Sequence, residues 1–245
     1  MVRLDRDGPV ATITLCRPEV RNAQTPETWE RLRRLGAELP GDVRVVVVRG
    51  EGQAFSSGLD LNVLDDLAGE LARAPAVRSA ERIAEFQAAF SWLRRPDLIT
   101  IAAVHGAAIG AGLQLALACD LRVLADDAQL AMAEVTLGLV PDLGGTKRLV
   151  ELVGYARALE LCVTGRRLGA LEAERIGLAN LVVPRAELDA AVADLTAAVL
   201  AGARDAVIEI KALLSAASGR TYADQARAER EAQVRRIRDL AGLGE

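Results

Sequence analysis

The sequence predicts an α/β fold finished by a layer of helices. Strand-like apolar runs alternate with amphipathic helical runs as far as Val140, and beyond it helices dominate. The third observation is size: 245 residues, 51% of them hydrophobic, suffice for one sizeable core. No internal repeat or low-complexity linker divides the chain, although alanine is enriched.

The elements follow in order. "VATITL" (10–15) alternates and is β-branched, which predicts a strand. Thr25 is a suitable N-cap and Pro26 a first helical residue, opening an amphipathic helix to about Leu39. "RVVVVRG" (44–50) is a continuous apolar run, as in a strand covered on both faces. "EGQAFSSGLDLNVL" then reads as a loop entering a short helix.

Residues 65–80, "DDLAGELARAPAVRSA", show less pattern and are expected to form a mobile loop or short helix. "ERIAEFQAAFSWLRR" is an amphipathic helix ended by Pro96, and "LITIAAVHG" is a second buried strand. "DLRVLADDAQLAMAE" adds another strand and a short extended piece. After Val140 come three helices, "GTKRLVELVG", "YARALELCVTG" and "ALEAERIG". The short apolar "LANLVVP" separates these from two long helices at about 187–201 and 204–239.

Composition narrows the function. The formal charge is −4, with Lys and Arg scattered, so no basic footprint points to nucleic acid. Aromatics are 3%, too few for a base-stacking platform. Cys16, Cys119 and Cys162 are far apart and read as buried small hydrophobes in a reducing compartment. The single histidine, His105, reads as a structural residue at a strand end and leaves no Cys/His metal cluster. The charged start "MVRLDRDGPV" lacks the apolar segment of a signal peptide, and no apolar run reaches membrane-spanning length. A cytoplasmic protein without metal or membrane partner is expected.

Two glycine-bearing stretches carry possible chemistry. In "FSSGLDL" (55–61) a glycine between a buried strand and a helix start can leave backbone N–H groups facing outward, although an ordinary turn gives the same pattern. In "HGAAIGAGLQLALACD" (105–120), Gly106, Gly110 and Gly112 let the chain turn after Val104 and begin a helix with exposed backbone. Tight helix packing would also use such residues. Leu115 occupies the third glycine position of GxGxxG, and neither GxxxxGK[ST] nor GxSxG occurs. Gln114 is the one polar residue of that helix. Glu134 stands among apolar residues, where an acid is either paired or functional. Asp142 lies in a Pro/Gly loop, where a solvated turn residue or cap is the competing reading. Lys147 and Arg148 open a helix and read as solvated.

Four ordered blocks, from about residue 8 to 190, resemble the enoyl-CoA hydratase/isomerase (crotonase) family: "VATITLCRPEVRNA", "RVVVVRGEGQAFSSGLDL", "AAVHGAAIGAGLQLALACDLRVLADDAQLAMAEVTLGLVPDLGGTKRL" and "GRRLGALEAERIGLANLVVP". The resemblance implies a β-β-α spiral core over 1–190 that binds an acyl-CoA thioester. It implies a C-terminal helical layer over 191–245 for oligomerisation, as a homotrimer or dimer of trimers. CoA belongs to the substrate, and no separate cofactor is implied. The end "REAQVRRIRDLAGLGE" lacks the aromatic/basic tail of many relatives, so the adenine end of CoA is expected to be held loosely or by a neighbouring subunit.

By the same resemblance, the amides of Leu59 and Ala111 form an oxyanion hole for the thioester oxygen. Ala111 stands where glycine is usual, but it keeps the N–H. Ser57, Gly58, Leu59, Asp60, Leu61, Gly110 and Gly112 are expected along the substrate path. Hydratases of the family carry glutamates at the places of Gln114 and Glu134. Gln114 cannot ionise and is left to orient water or substrate. Asp142 matches an aspartate acting as acid/base in some isomerase members. An enoyl-CoA isomerase is therefore expected, with Glu134 as proton shuttle and Asp142 as partner or substitute. The alternatives are a hydratase adding water to a 2-enoyl-CoA and a non-catalytic acyl-CoA-binding protein. A serine peptidase on the same spiral would need a serine beside a general base, and the sequence offers no such signature.

Overall fold

The computed structural model describes residues 2–243. Strands β1 (Val2–Asp7), β2 (Val10–Leu15), β3 (Val45–Gly50), β4 (Ile99–Val104), β6 (Leu121–Ala125) and β9 (Leu181–Val183) form one sheet in the order β1-β2-β3-β4-β6-β9. Only β1 is antiparallel to its neighbour. The central register aligns Thr12, Val47 and Ile101 across β2, β3 and β4. Strands β5 (Ala107–Ile109), β7 (Gln129–Ala131) and β8 (Leu168–Gly169) form a second, three-stranded sheet.

Alternation within the buried strands fills two cores, because successive side chains point to opposite faces. Ile13, Val46, Val48, Ala102 and Leu124 face α1 (Pro26–Glu38), α3 (Ala76–Ser91) and α4 (Ala111–Ala118). Val45, Val47, Ile101, Ala103 and Val123 face Leu188 and Val192 of α8 (Leu188–Ala201). Residue 190, where the sequence divides core from helical layer, therefore lies within a helix that packs on the sheet. Helix α1 starts as the sequence implies: Thr25 and Thr28 form a reciprocal capping box and Pro26 is its first residue.

The structure corrects or sharpens the sequence reading in four places. Strand β1 was not predicted, because "VRLDRD" is a largely exposed sheet edge without an apolar run. Residues 65–80 are helical, in α2 (Leu64–Arg73) and the start of α3, with Pro75 between them. Helix α2 buries no side chain fully, so its apolar stripe is easily mistaken for noise. Strands do not stop at Val140, but β8 and β9 are two and three residues long, too short to show alternation. The last long helix is two, α9 (Arg204–Ala217) and α10 (Tyr222–Leu240), the second capped by Thr221 accepting from the Asp224 N–H. Ahead of α8 in the chain lie α5 (Gly145–Val153), α6 (Tyr155–Thr164) and α7 (Ala170–Arg175), as expected.

Candidate active site

The chain leaving β3 lies beside β5. Ser56 N–H donates to the Ala107 carbonyl at 2.8 Å, and Ile109 N–H donates to the Ser56 carbonyl at 3.0 Å. The loop is gripped from its other side by Gln24, whose N–H donates to the Gly58 carbonyl (2.7 Å) and whose carbonyl accepts from the Asp60 N–H (2.8 Å). These two bonds flank Leu59 in a parallel bridge, so the N–H of Leu59 itself points away from Gln24. Gly58 has φ +90°, and a Cβ there would lie 2.5 Å from the Ile109 carbonyl oxygen and 3.5 Å from the Ala111 nitrogen. The Leu59 and Ala111 amides are thereby brought to one lip.

Ala111 begins α4, where the first-turn N–H groups have no intrahelical partner. The turn into it falls on Gly110, with φ 51° and ψ −119°, a conformation open to glycine and hostile to other residues. Ala111 itself is helical, so its Cβ costs nothing. Among the described residues neither the Leu59 nor the Ala111 N–H has an acceptor.

Both amides border a cavity of about 470 Å³, within the range of small-molecule sites. Gln114, Glu134 and Asp142 line it together, and no Lys or Arg among the described residues does. Apart from Ser57 and Thr136 the rest of the wall is apolar, including Trp29 of α1, Leu64, Leu67 and Leu71 of α2, Phe86 of α3, and the loop bearing Leu139 and Leu143. Phe86 packs on Trp29 with ring centroids 4.8 Å apart.

Gln114 is buried and committed to protein partners. Its Oε1 accepts from the Leu143 N–H (2.9 Å) and the Gly145 N–H (3.2 Å), and its Nε2 donates to Glu134 Oε1 at 2.8 Å. It therefore braces the Glu134 carboxylate against the loop that carries Asp142. Glu134 Oε2 is buried without a hydrogen-bond partner among the described residues. A buried acceptor left unpaired is expensive in a folded protein, and here it belongs to a residue that lines the cavity.

Electrostatics follow from burial. Desolvation pushes the Glu134 carboxyl above the usual glutamate range, the Asp142 charge pushes it further, and its backbone contacts and the Gln114 hydrogen bond pull partly back. Desolvation also raises the Asp142 carboxyl. Both carboxyls that line the cavity are thus displaced upward by burial, as at sites that move protons.

Other residues singled out in the sequence have different surroundings. Ser57 and Leu61 border the cavity, and the Ser57 hydroxyl donates to the Val20 carbonyl at 3.2 Å. Asp60 is buried outside the cavity lining. The Asn62 N–H and Arg17, 2.9 Å away, hold its carboxyl below the usual range. Gly112 sits under the Ser56 carbonyl rather than against the cavity. His105 is buried with Nε2 3.2 Å from the Gly52 carbonyl oxygen, and Lys147 and Arg148 both pair with Glu151. A groove of about 600 Å³ near His105 is lined by charges already paired, such as Arg3 with Glu51 and Arg49 with Asp189. No group of three or more His, Cys, Asp or Glu among the described residues could hold a metal ion. No helix among them is long and apolar enough to cross a membrane.

A family model described as enoyl-CoA hydratase/isomerase matches residues 5–240. The chain belongs to the enoyl-CoA hydratase/isomerase family. It is an enzyme with the crotonase fold.

Among solved structures of this fold, one from Thermobifida fusca YX, described as an enoyl-CoA hydratase in complex with CoA, superposes with a TM-score of 0.93 at 50% identity. The match covers 98% of this chain and 94% of that one. Another structure from that organism, in complex with acetoacetyl-CoA, has a TM-score of 0.92 at 51% identity over 97% and 95% of the two chains. The curated relatives include a probable enoyl-CoA hydratase of Mycobacterium bovis, 35% identical over 76% of this chain and 70% of that protein. A peroxisomal Δ(3,5)-Δ(2,4)-dienoyl-CoA isomerase of Arabidopsis thaliana is 34% identical over 87% and 80% of the two.

Sequence reasoning singled out none of the α2 side chains in this crotonase cavity's apolar wall. Leu64, Leu67, Ala68 and Leu71 keep i, i+3, i+4, i+7 spacing, and that stripe was the available signal. It also missed Gln24, whose partners are set by a bridge to Leu59 that no local pattern announces.

Proposed function

We propose that the enzyme shifts the double bond of an enoyl-CoA through a thioester enolate. The observation that carries this reading is the bonding of Gln114 beside Glu134: both acceptor sites of the amide oxygen and one of its two N–H groups are taken by protein partners, while Glu134 keeps a buried, unpartnered Oε2. Gln114 has one N–H left and no group that can take a proton, so the proton transfers fall to the carboxyls.

In the forward direction Glu134 Oε2 accepts a proton from C2 of a 3-enoyl-CoA. The electron pair passes onto the thioester oxygen, held by the Leu59 and Ala111 N–H groups. The proton then returns at C4 and the double bond comes to rest between C2 and C3. Asp142 serves as partner, or as substitute, at the second carbon. Each oxyanion donor of this kind is worth about 2.7–4 kcal/mol of barrier. No cofactor beyond the CoA of the substrate is needed. Ser57, Gly58, Leu61 and Gly110 line the path of the thioester, and the apolar wall favours a hydrocarbon acyl group over a charged one.

The same reading takes the exposed apolar side chains Ile210, Leu214, Val234 and Ile237 on α9 and α10 as the contact through which copies form a homotrimer or dimer of trimers. Light scattering tests it.

Proton NMR in D₂O, with a 3-enoyl-CoA and a 2-enoyl-CoA supplied separately, tests the chemistry. Interconversion without a 3-hydroxyacyl product is the expected result. Rapid 3-hydroxyacyl-CoA formation would establish hydration instead, the activity in whose name several relatives are described. Tight acyl-CoA binding without turnover would leave a binding protein.

A further inference from the structure

We propose that Gln24 is a positioning residue for the Leu59 oxyanion donor and ties that donor to Trp29 in the wall of the acyl cavity. The proposal rests on the oxyanion reading above and adds to it a residue that touches no substrate.

Gln24 is fully buried in the loop between β2 and α1, and every polar group it has is used. Its backbone holds the residues on both sides of Leu59. Its side chain Oε1 accepts from Trp29 Nε1 at 2.8 Å, and its Nε2 donates to Ser56 Oγ at 3.0 Å. Ser56 Oγ also accepts from the Gly58 N–H at 3.2 Å and donates to the Asn22 carbonyl at 2.8 Å. One side chain and one backbone thus grip the turn before and after the donor.

The direction of these bonds is set by chemistry. An indole N–H can only donate, so it fixes the amide of Gln24 with its oxygen toward Trp29. The amide nitrogen must then face Ser56, and the hydroxyl, accepting twice, must send its own proton to the Asn22 carbonyl. The chain from Trp29 to the Gly58 N–H has a single consistent arrangement. A buried network of this kind is rigid when every member is satisfied.

Trp29 lines the cavity, its ring tilted 55° against that of Phe86. An acyl chain resting on that ring pair touches the first member of a network whose last member precedes the oxyanion donor. Packing of the acyl group and placement of the Leu59 N–H are thereby joined through Gln24.

The test uses the full chain and hexanoyl-CoA labelled with ¹³C at the thioester carbonyl. Three readings are taken on the wild type, Gln24→Leu and Trp29→Phe: affinity by calorimetry, the carbonyl stretch of the bound thioester, and the rate of C2 proton exchange in D₂O. Gln24→Leu is expected to lose at least about tenfold in exchange rate, on the scale of a misplaced oxyanion donor. Affinity should stay within about threefold, and the carbonyl should return toward its free frequency. Trp29→Phe keeps an aromatic wall while removing the donor and part of the ring volume, so it should show the same carbonyl change to a smaller extent. It also serves if Gln24→Leu does not fold.

A wild-type shift retained by every folded variant would overturn the proposal alone. No shift in the wild type would overturn the oxyanion reading, and the proposal with it. A lower melting temperature with an unchanged carbonyl stretch would show a merely structural amide, which also overturns it.

Discussion

Glu134→Gln changes the chemistry of the candidate base while keeping its volume and its brace. The new side chain can still accept from Gln114 Nε2 through one oxygen, as Glu134 Oε1 does at 2.8 Å. The group placed at the unpartnered Oε2 position becomes an amide that cannot take a proton. Loss of a positioned general base costs about 10²- to 10⁴-fold. Isomerisation followed by NMR in D₂O should fall within that range, with acyl-CoA affinity unchanged. Stability should move the other way. Burial raises the folded carboxyl above its unfolded value, so the folded state holds the proton more tightly. Wild-type stability therefore declines as pH rises from the unfolded carboxyl range through the folded pKa. A glutamine does not titrate and escapes that decline. The variant should melt at or above the wild-type temperature at neutral pH, and the difference should close near about pH 4. Activity kept within about tenfold of wild type would remove Glu134 from the role of base. A lower melting temperature at neutral pH would show that its desolvation had been misjudged.

Three further outcomes follow from the same geometry. Asp142→Asn should reduce isomerisation less than Glu134→Gln does. It should also move the acidic limb of kcat/KM to lower pH, since repulsion by the Asp142 charge helps to raise Glu134; a pH–rate profile reads both. Gly112→Ala places a Cβ 2.5 Å from the Ser56 carbonyl oxygen and forces apart the two segments that present the amides. The expected cost is about 1–3 kcal/mol in chemical denaturation together with a lower turnover. Arg122→Met removes a buried guanidinium, held down to about 10 by desolvation, from the Cys119 and Leu178 carbonyls at 2.7 and 2.8 Å. Leaving buried carbonyls unpaired should cost at least about 1–3 kcal/mol in a denaturant melt, with the cavity unaltered.

Much of the site was legible in sequence where backbone geometry demands a residue type. Gly110 could be read because the turn into α4 needs a conformation other residues resist, and Thr25 with Pro26 because capping is local chemistry. Glu134 and Asp142 stood out as acids among apolar and turn residues. The unread parts depend on partners distant in sequence. Gln114 carried no hint that its oxygen would be taken by the amides of Leu143 and Gly145, which makes it a brace for Glu134 as well as a residue of the cavity wall. Asp60 looked like part of the substrate path until Arg17, far away in the chain, was seen to claim it. Strand β1 and helix α2 stayed hidden for another reason: an exposed sheet edge and a helix facing a cavity bury too little to leave a strong pattern.

Gln114→Glu asks whether the neutral brace sets the reaction. The acceptor side of the replacement can keep the Leu143 and Gly145 N–H bonds, but its other oxygen would face Glu134 Oε1 at the 2.8 Å now spanned by an amide donor. Two carboxylates that close cannot both ionise, so they would share a proton and titrate as a pair with one step displaced upward. The acidic limb of the isomerisation profile should therefore move to higher pH. At the same time the cavity would gain a proton donor beside its base, the arrangement that addition of water to a 2-enoyl-CoA requires. The expected result is slower isomerisation at neutral pH and new 3-hydroxyacyl-CoA, measured side by side by NMR. An unmoved limb would mean that residue 114 does not touch the titration of Glu134. A moved limb without hydroxyacyl product would place the barrier to hydration elsewhere in the apolar wall, in the exclusion of water and not in the missing acid.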